Sequence, residues 1–218
     1  MSRRQPVTKR LGRPQNVDSA DTRDRLLDVA RQAFASNGFD VTTNKQIAEA
    51  AGITAGAIYH YFPSKVDLYL AVYEQVQQVM QRAFDEAING ADTLLERYSL
   101  ALDAAVALNH LDPSIAGFVV RMSGEAQRHP DLMALLAEVA RPGEDFASRL
   151  VADARASGEL FPDLHARAVE DLLHSVLLGL AQFGTLVDDA DRHAAAVDAL
   201  KRFFAGTFVR RRDADVTP

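Results

Sequence analysis

The chain contains no cysteine and no tryptophan. The absence of cysteine excludes a disulfide framework, thiol catalysis and any zinc or iron–sulfur site held by cysteine. Its 12 glycines and 8 prolines in 218 residues are too few for a collagen-like or low-complexity chain. The longest apolar stretch, Val176–Val187, is interrupted by Gln182 and is too short to cross a bilayer. No apolar segment follows the N-terminal arginines, as a secretory signal would require. We therefore expect a soluble, cytoplasmic protein.

Charge is distributed unevenly along the chain, although the net charge of −6 taken alone argues against nucleic-acid binding. Residues 1–70 contain 10 basic and 7 acidic residues, whereas residues 71–218 contain 14 and 23, so the two parts carry +3 and −9. The first 17 residues hold five cations and no acid. A positive end on an acidic body favours phosphate binding at that end, although a solvated basic tail has the same composition.

Hydrophobic periodicity predicts an all-α fold, since no alternating pattern is long enough for a sheet. Residues 1–20 lack a helical period and are expected to be a flexible basic arm, and residues 213–218 a frayed tail. The predicted helices are 21–37, 43–51, 54–62, 65–89, 93–110, 114–129, 131–157 with a break at Pro142-Gly143, 164–187 and 191–209.

Two short helices that share a glycine-containing turn are the most informative segment. Thr43 and Gln46 have the spacing of a capping box at the start of the first, and Thr54 is placed to cap the second. Ala48 is small where the helices cross, and Gly52 permits the turn between them. This pattern is typical of a helix-turn-helix, in which the second helix enters the major groove of DNA, although an ordinary corner between two helices is the alternative.

The segment resembles the TetR/AcrR family of transcriptional repressors. The resemblance covers about residues 22–70 and rests on Phe39, Thr43, Ile47-Ala48, the run Gly56–Phe62 and the following Pro63-Ser64-Lys65. It implies a three-helix DNA-binding domain over residues 21–67 and a helical ligand-binding and dimerisation domain over residues 68–212. The implied partners are a pseudo-palindromic operator in double-stranded DNA, a second copy of the chain and an unknown small-molecule effector.

The resemblance also implies which residues meet DNA. The candidate contacts are Thr43, Thr54, Ala55, Gly56, Ala57, Tyr59, His60, Tyr61, Lys65 and, from the arm, Arg13. Ile58 and Phe62 should point inward. For Tyr61, packing into the core and contact with DNA are equally good interpretations. Ala55 and Ala57 stand where polar side chains would read base edges, so they offer only apolar contact, for example to a thymine methyl. Within Gly12-Arg13-Pro14, Arg13 suits a narrow minor groove.

The helix 164–187 is apolar on more than one face, which predicts burial against both its own core and a partner subunit. The dimer-interface candidates are Leu172, Val176, Gly179, Leu180, Phe183, Ala195, Ala199 and Phe203. The candidate pocket residues are Leu102, Val106, His110, Phe118, Met122, Met133, Phe146, His174 and Phe183, although methionine and phenylalanine at helical spacing also suit a simple core. Because most of these candidate pocket residues are apolar, we expect an apolar effector.

The sequence carries little that favours catalysis. It contains no Glu-x-x-His pair of the di-iron type, and Asp171-x-x-His174 is the nearest approach to one. It also lacks a phosphate-binding loop and a nucleophile elbow. We expect no enzyme activity, no cofactor and no metal. The main alternative is a constitutive or architectural DNA-binding protein without an effector, and a helical-bundle enzyme is the more remote one.

Overall fold

The computed structural model describes residues 15–125, 128–140, 145–187 and 189–208, with side chains given from residue 19 onward. Every regular element in these ranges is helical, which confirms the all-α fold class. Among the described helices, none combines the length and apolar content that a membrane span needs.

The N-terminal part, here called the head, consists of α1 (Gln15–Val41), α2 (Asn44–Ala50) and a short 3₁₀ helix (Ala57–His60). Thr43 caps α2, and the predicted capping box is confirmed, because Thr43 and Gln46 each accept a hydrogen bond from the other's backbone N–H. The turn after α2 places Gly52 at a φ of 73°, a conformation that favours glycine.

The structure corrects two predicted boundaries in the head. Residues 15–20, predicted to belong to the flexible arm, form the start of α1. The α-helix predicted over residues 54–62 is instead a single 3₁₀ turn. Gly56 weakens helix formation there, and Pro63 disfavours helical geometry in the residue before it, so little length remains for an α-helix.

Seven further helices follow the head. They are α3 (Lys65–Ala87), α4 (Leu94–Leu111), α5 (Pro113–Glu125), α6 (Pro130–Val139), α7 (Phe146–Ala156), α8 (Ala166–Val187) and α9 (Ala190–Phe204). Helix α5 ends before the predicted residue 129, and α9 ends before residue 209 because the chain turns at Gly206 with a φ of 69°. The predicted break at Pro142-Gly143 lies outside the described residues.

The buried side chains form two clusters. The first contains residues from both sides of the domain boundary predicted at residue 67. It joins Leu26, Phe34 and Ile58 of the head to Tyr69 of α3 and Phe118 of α5. The second cluster holds α4, α7, α8 and α9 together. The head therefore shares its core with the first helices of the larger domain.

The contact between α1 and α5 is the most extensive helix pair in the described structure. The chain turns at Gly38, whose φ is 79°, and the Phe39 N–H behind it donates to Glu125 Oε1 at 3.2 Å. A Cβ atom on Gly38 would lie only 2.8 Å from the same oxygen. Arg121 donates to the carbonyls of Ala35 and Ser36 at 3.3 and 3.0 Å. This set of contacts, here called the α1–α5 junction, fixes how the head sits on the larger domain.

A buried arginine reinforces the attachment of the head. Arg31 of α1 is 6% exposed and donates to Asp28, Gln75, Ser114 and Asp112, at distances between 2.5 and 3.0 Å. Burial raises the pKa of Asp112, but hydrogen bonds from Ser114 and the charge of Arg31 outweigh it, so that pKa lies below its ordinary value. One cation therefore ties α1 to α3 and to the link between α4 and α5.

Candidate DNA-binding face and ligand cavity

The predicted DNA contacts lie on the head around the 3₁₀ helix. Thr43, Thr54, Ala55, Gly56, Tyr59 and His60 are exposed, Ala57 and Tyr61 are half-buried, and Arg13 lies outside the described residues. Tyr59 has 54% of its surface exposed, whereas Ile58 and Phe62 are 0% and 3% exposed, which confirms that these two point inward. Tyr61 packs against the first core cluster.

The turn that would enter the groove is held by short-range hydrogen bonds. The Ala57 N–H donates to the Thr54 carbonyl at 3.0 Å and lies 3.2 Å from the Thr54 hydroxyl oxygen. Behind the turn, Arg25 donates to the Ala51 carbonyl at 2.9 Å, and the Arg23 guanidinium lies over the Phe62 ring at 5.3 Å. These contacts, including the one to the Thr54 hydroxyl, position the backbone of the turn.

Lys65, predicted as a phosphate anchor, has its ammonium group engaged within the chain. Its Nζ donates to the carbonyls of Phe39 and Thr42 at 2.8 and 3.1 Å and lies 3.5 Å from the carbonyl of Asp40. The same atom lies 4.3 Å from the centre of the Phe39 ring. Lys65 thus holds the corner between α1 and α2, and a DNA contact by this side chain stays a prediction.

The larger domain encloses a cavity of about 540 Å³ between α3, α4, α5, α7, α8 and α9. Six of the nine predicted pocket residues line it: Leu102, Val106, Phe118, Met122, Phe146 and His174. The other three are not in its wall. Met133 packs into the first core cluster, His110 is exposed near the end of α4, and the Phe183 ring faces His193 and Arg192.

Sequence reasoning missed two parts of the wall. One is the side given by α3, where Tyr73, Val76, Met80 and Phe84 face the cavity. Their helical spacing identifies an inward-facing side of α3, but it does not indicate whether that side packs against other side chains or lines a cavity. The other is the pair Asn109 and His193, whose signal was a polar residue at helical spacing from the wall residues Val106 and Val197.

An ion pair lies among the residues that line the cavity. His174 Nε2 lies 3.0 Å from Asp145 Oδ1, whereas Asp171, its partner in the sequence pattern, pairs with Arg167 at 3.2 Å. Burial raises the pKa of Asp145, but hydrogen bonds from Ser148 and the charge of His174 outweigh it, so that pKa lies below its ordinary value. Asp145 also caps α7, so the pair is connected to the helical framework.

One set of side chains in the described residues has the composition of a metal site. Atoms of Asp40, Glu125 and His129 lie within 4.8 Å of one another at the α1–α5 junction. The Arg128 guanidinium, 3.1 Å from Glu125 Oε2, already supplies positive charge, and His129 lies 3.0 Å from Asp40. We describe the set as an ion-pair network between the head and α5 and assign no metal to it.

Some of the predicted interface residues face solvent, and others face the core of their own chain. Leu172, Gly179, Ala195 and Phe203 are exposed, and no atom lies within 4 Å of a Cβ built on Gly179. Val176 and Leu180 instead pack against their own core, and Leu180 also lines the cavity. Phe183 and Ala199 are half-buried.

Comparison with known proteins agrees with this architecture. Residues 26–72 match the family model described as bacterial regulatory proteins of the tetR family. The transcriptional regulator UidR of Escherichia coli strain K12 is 28% identical over 194 residues, covering 87% of this chain and 94% of UidR. Residues 26–72 therefore carry a tetR-family domain, and the similarity to UidR over most of both chains supports a TetR/AcrR family transcriptional regulator.

Solved structures of TetR-type regulators extend the likeness through both domains. The structure of Salmonella enterica GusR superposes with a TM-score of 0.65 at 26% identity, over 92% of this chain and 99% of GusR. FadR from Bacillus subtilis, solved in complex with stearoyl-CoA, shows the same fold with a TM-score of 0.68 at 18% identity, over 84% and 98% of the two chains. Together with the tetR match of residues 26–72, the similarity to UidR supports a DNA-binding transcriptional regulator.

Replacing Lys65 by methionine tests its role in holding the head together. Lys65→Met removes the donors to the α1–α2 corner, and we expect it to lower the free energy of unfolding by about 1–3 kcal/mol. Lys45→Met, which removes the same charge from the exposed face of α2, should change it by less than about 0.5 kcal/mol. Urea unfolding of both variants measures the difference, and equal small effects would show that the corner does not depend on Lys65.

Proposed function

We propose that the protein is a cytoplasmic homodimeric repressor that leaves its operator when a small molecule fills the cavity. The observation that carries the proposal is the double role of α5. Ile115, Phe118 and Met122 of this helix line the cavity, and the same helix packs against α1 of the head. A ligand that binds one arrangement of α5 better than another would therefore shift the head as well.

A chain of aromatic side chains connects the cavity to the head. The ring of Phe118 lies 5.0 Å from that of Tyr69, which lies 4.9 Å from Phe34 and 5.2 Å from Phe39 of α1. Because packed rings cannot overlap, displacement of Phe118 by a ligand must be accommodated by its neighbours. This contact path supports release by a ligand over a constitutive DNA-binding protein, and we propose no catalytic role.

For DNA binding, we propose that the exposed turn at residues 54–60 enters the major groove. Thr43 and Tyr59 would contact the flanking phosphates, and Thr54 and His60 would face the bases. Ala55 and Ala57 provide little polar readout, so the shape of the operator would contribute to specificity. The minor-groove role of Arg13 remains a prediction from the sequence.

For the dimer, we propose pairing through α8 and α9. Leu172, Leu186 and Phe203 are 56%, 75% and 62% exposed in the single chain. Apolar groups of this size on neighbouring helices indicate a surface that a partner covers. Two copies related by a two-fold axis would present their heads to half-sites about 34–36 Å apart.

Truncation of Tyr59 tests the DNA-binding face. An operator obtained by selection from random duplexes provides the ligand, and fluorescence anisotropy measures its affinity. Tyr59→Ala should weaken binding about tenfold, through loss of a hydrogen bond to phosphate, while leaving the melting temperature unchanged. Phe161→Ala removes an aromatic side chain that is 75% exposed outside the head, and it should bind as the wild type does. Equal affinities for the two variants would contradict the assignment of this face.

A charge on α8 tests the dimer. Leu172→Glu places a carboxylate in the proposed interface, so we expect a monomer in analytical ultracentrifugation and operator affinity reduced by about 100-fold or more. Leu111→Glu changes a leucine that is 83% exposed at the end of α4 and should leave the dimer intact. A Leu172→Glu protein that sediments as a dimer would place the interface elsewhere.

A further inference from the structure

Two polar side chains in the largely apolar wall of the cavity lack hydrogen-bond partners at one atom each. They are Asn109 of α4 at Oδ1 and His193 of α9 at Nδ1. His193 is only 4% exposed, so water does not readily solvate its ring. Buried polar atoms are normally paired, and an unpaired one destabilises the folded protein. A ligand in the cavity that donates hydrogen bonds would supply the partners that these two atoms lack.

The chemistry of His193 determines what it can bind. Nδ1 of the ring has no hydrogen-bond partner, and we place the ring proton on Nε2. Burial lowers the pKa of His193, the backbone of Leu180 opposes this effect, and the charge of His110 adds to the lowering. The ring is therefore neutral at pH 7, and its Nδ1 lone pair can only accept a hydrogen bond.

Gly184 of α8 fixes the position of this ring. A Cβ atom at residue 184 would lie 3.0 to 3.2 Å from three atoms of the imidazole, so only glycine lets α8 approach it this closely. The ring is consequently held between α8 and α9. A fixed acceptor discriminates between ligands more sharply than a mobile one, because no rotamer freedom is lost on binding.

We propose that Asn109 and His193 are the polar anchors of the cavity and select a neutral amphipathic molecule that donates hydrogen bonds through a hydroxyl or amide group. Its apolar body packs against Phe84, Leu102 and Phe118. A carboxylate or phosphate is disfavoured at this end of the ligand, since two acceptors with lone pairs repel an anion. The inference rests on the proposed effector-binding function and makes the sequence expectation of an apolar effector more specific.

Matched probes test the selection for a donor. 4-Octylphenol and 4-octylanisole share one apolar body, but only the phenol donates a hydrogen bond, and 4-octylbenzoate carries a negative charge instead. Titration calorimetry on the full chain should show the phenol binding at least about tenfold more tightly than the ether or the benzoate. In the Asn109→Leu/His193→Leu double variant that preference should disappear, while the affinity for the ether is kept.

The free protein provides a second readout that needs no ligand. Because Asn109→Leu and His193→Leu each remove an acceptor without a partner, each should raise the melting temperature by about 2–4 °C. Asn89→Leu and His165→Leu make the same changes at exposed positions and should shift it by less than about 1 °C. A lower melting temperature for both cavity variants would show that the two acceptors are satisfied in the free protein and would overturn the proposal.

The remaining outcomes separate this inference from the proposed function. Equal affinity for phenol and ether, a preference that survives in the double variant, or no binding of any probe would each overturn the assignment of donors to the ligand. Operator binding by the wild type, measured in parallel, would still support the regulator. Loss of operator binding by the wild type would instead contradict the proposed function itself.

Discussion

The packing of α1 against α5 is the constraint on which the rest of the structure depends. At Gly38 the backbone turns so closely beside Glu125 that a side chain has no room, and the Phe39 N–H is bonded to the Glu125 carboxylate. The ion pair of Asp40 with His129 lies beside this contact, and the hydrogen bonds of Arg31 to Asp112 and Ser114 hold the opposite end of α5 against α1. The orientation of the head is therefore set by directional contacts, which a small displacement of α5 disturbs.

Helix α5, against which the head packs, also forms part of the cavity wall, and the proposed regulation rests on this double role. Phe118 belongs to the same buried cluster as Phe34 and Ile58, so the wall of the cavity and the core of the head are one packed unit. Close-packed interiors transmit strain because they contain little free volume. Under the proposed function, filling the cavity would also turn the head. A second subunit on the exposed apolar face of α8 would then fix the spacing of the two heads.

Local signals in the sequence predicted most of the head and much less of the cavity. Capping of α2 by Thr43 depends on Gln46, three residues further along the chain, and this cap is present in the structure. The 3₁₀ turn was mistaken for an α-helix because two weak effects, of Gly56 and Pro63, act together there. Phe183 and Met133 show why pocket residues are harder to predict, since periodicity identifies an inward face but not whether that face meets other side chains or a space. The carbonyl partners of Lys65 lie 23 to 26 residues away in sequence, which no local pattern reports.

A double-mutant cycle at the α1–α5 junction tests the central claim most directly. Gly38→Ala pushes a methyl group against Glu125, Glu125→Ala removes the carboxylate it meets, and operator affinity is measured for both single variants and the double variant. Because the second change relieves the collision caused by the first, the account predicts weaker binding in each single variant and a combined loss smaller than the sum by more than about 0.5 kcal/mol. Single variants that bind the operator as the wild type does, or losses that simply add, would show that this contact does not set the orientation of the head.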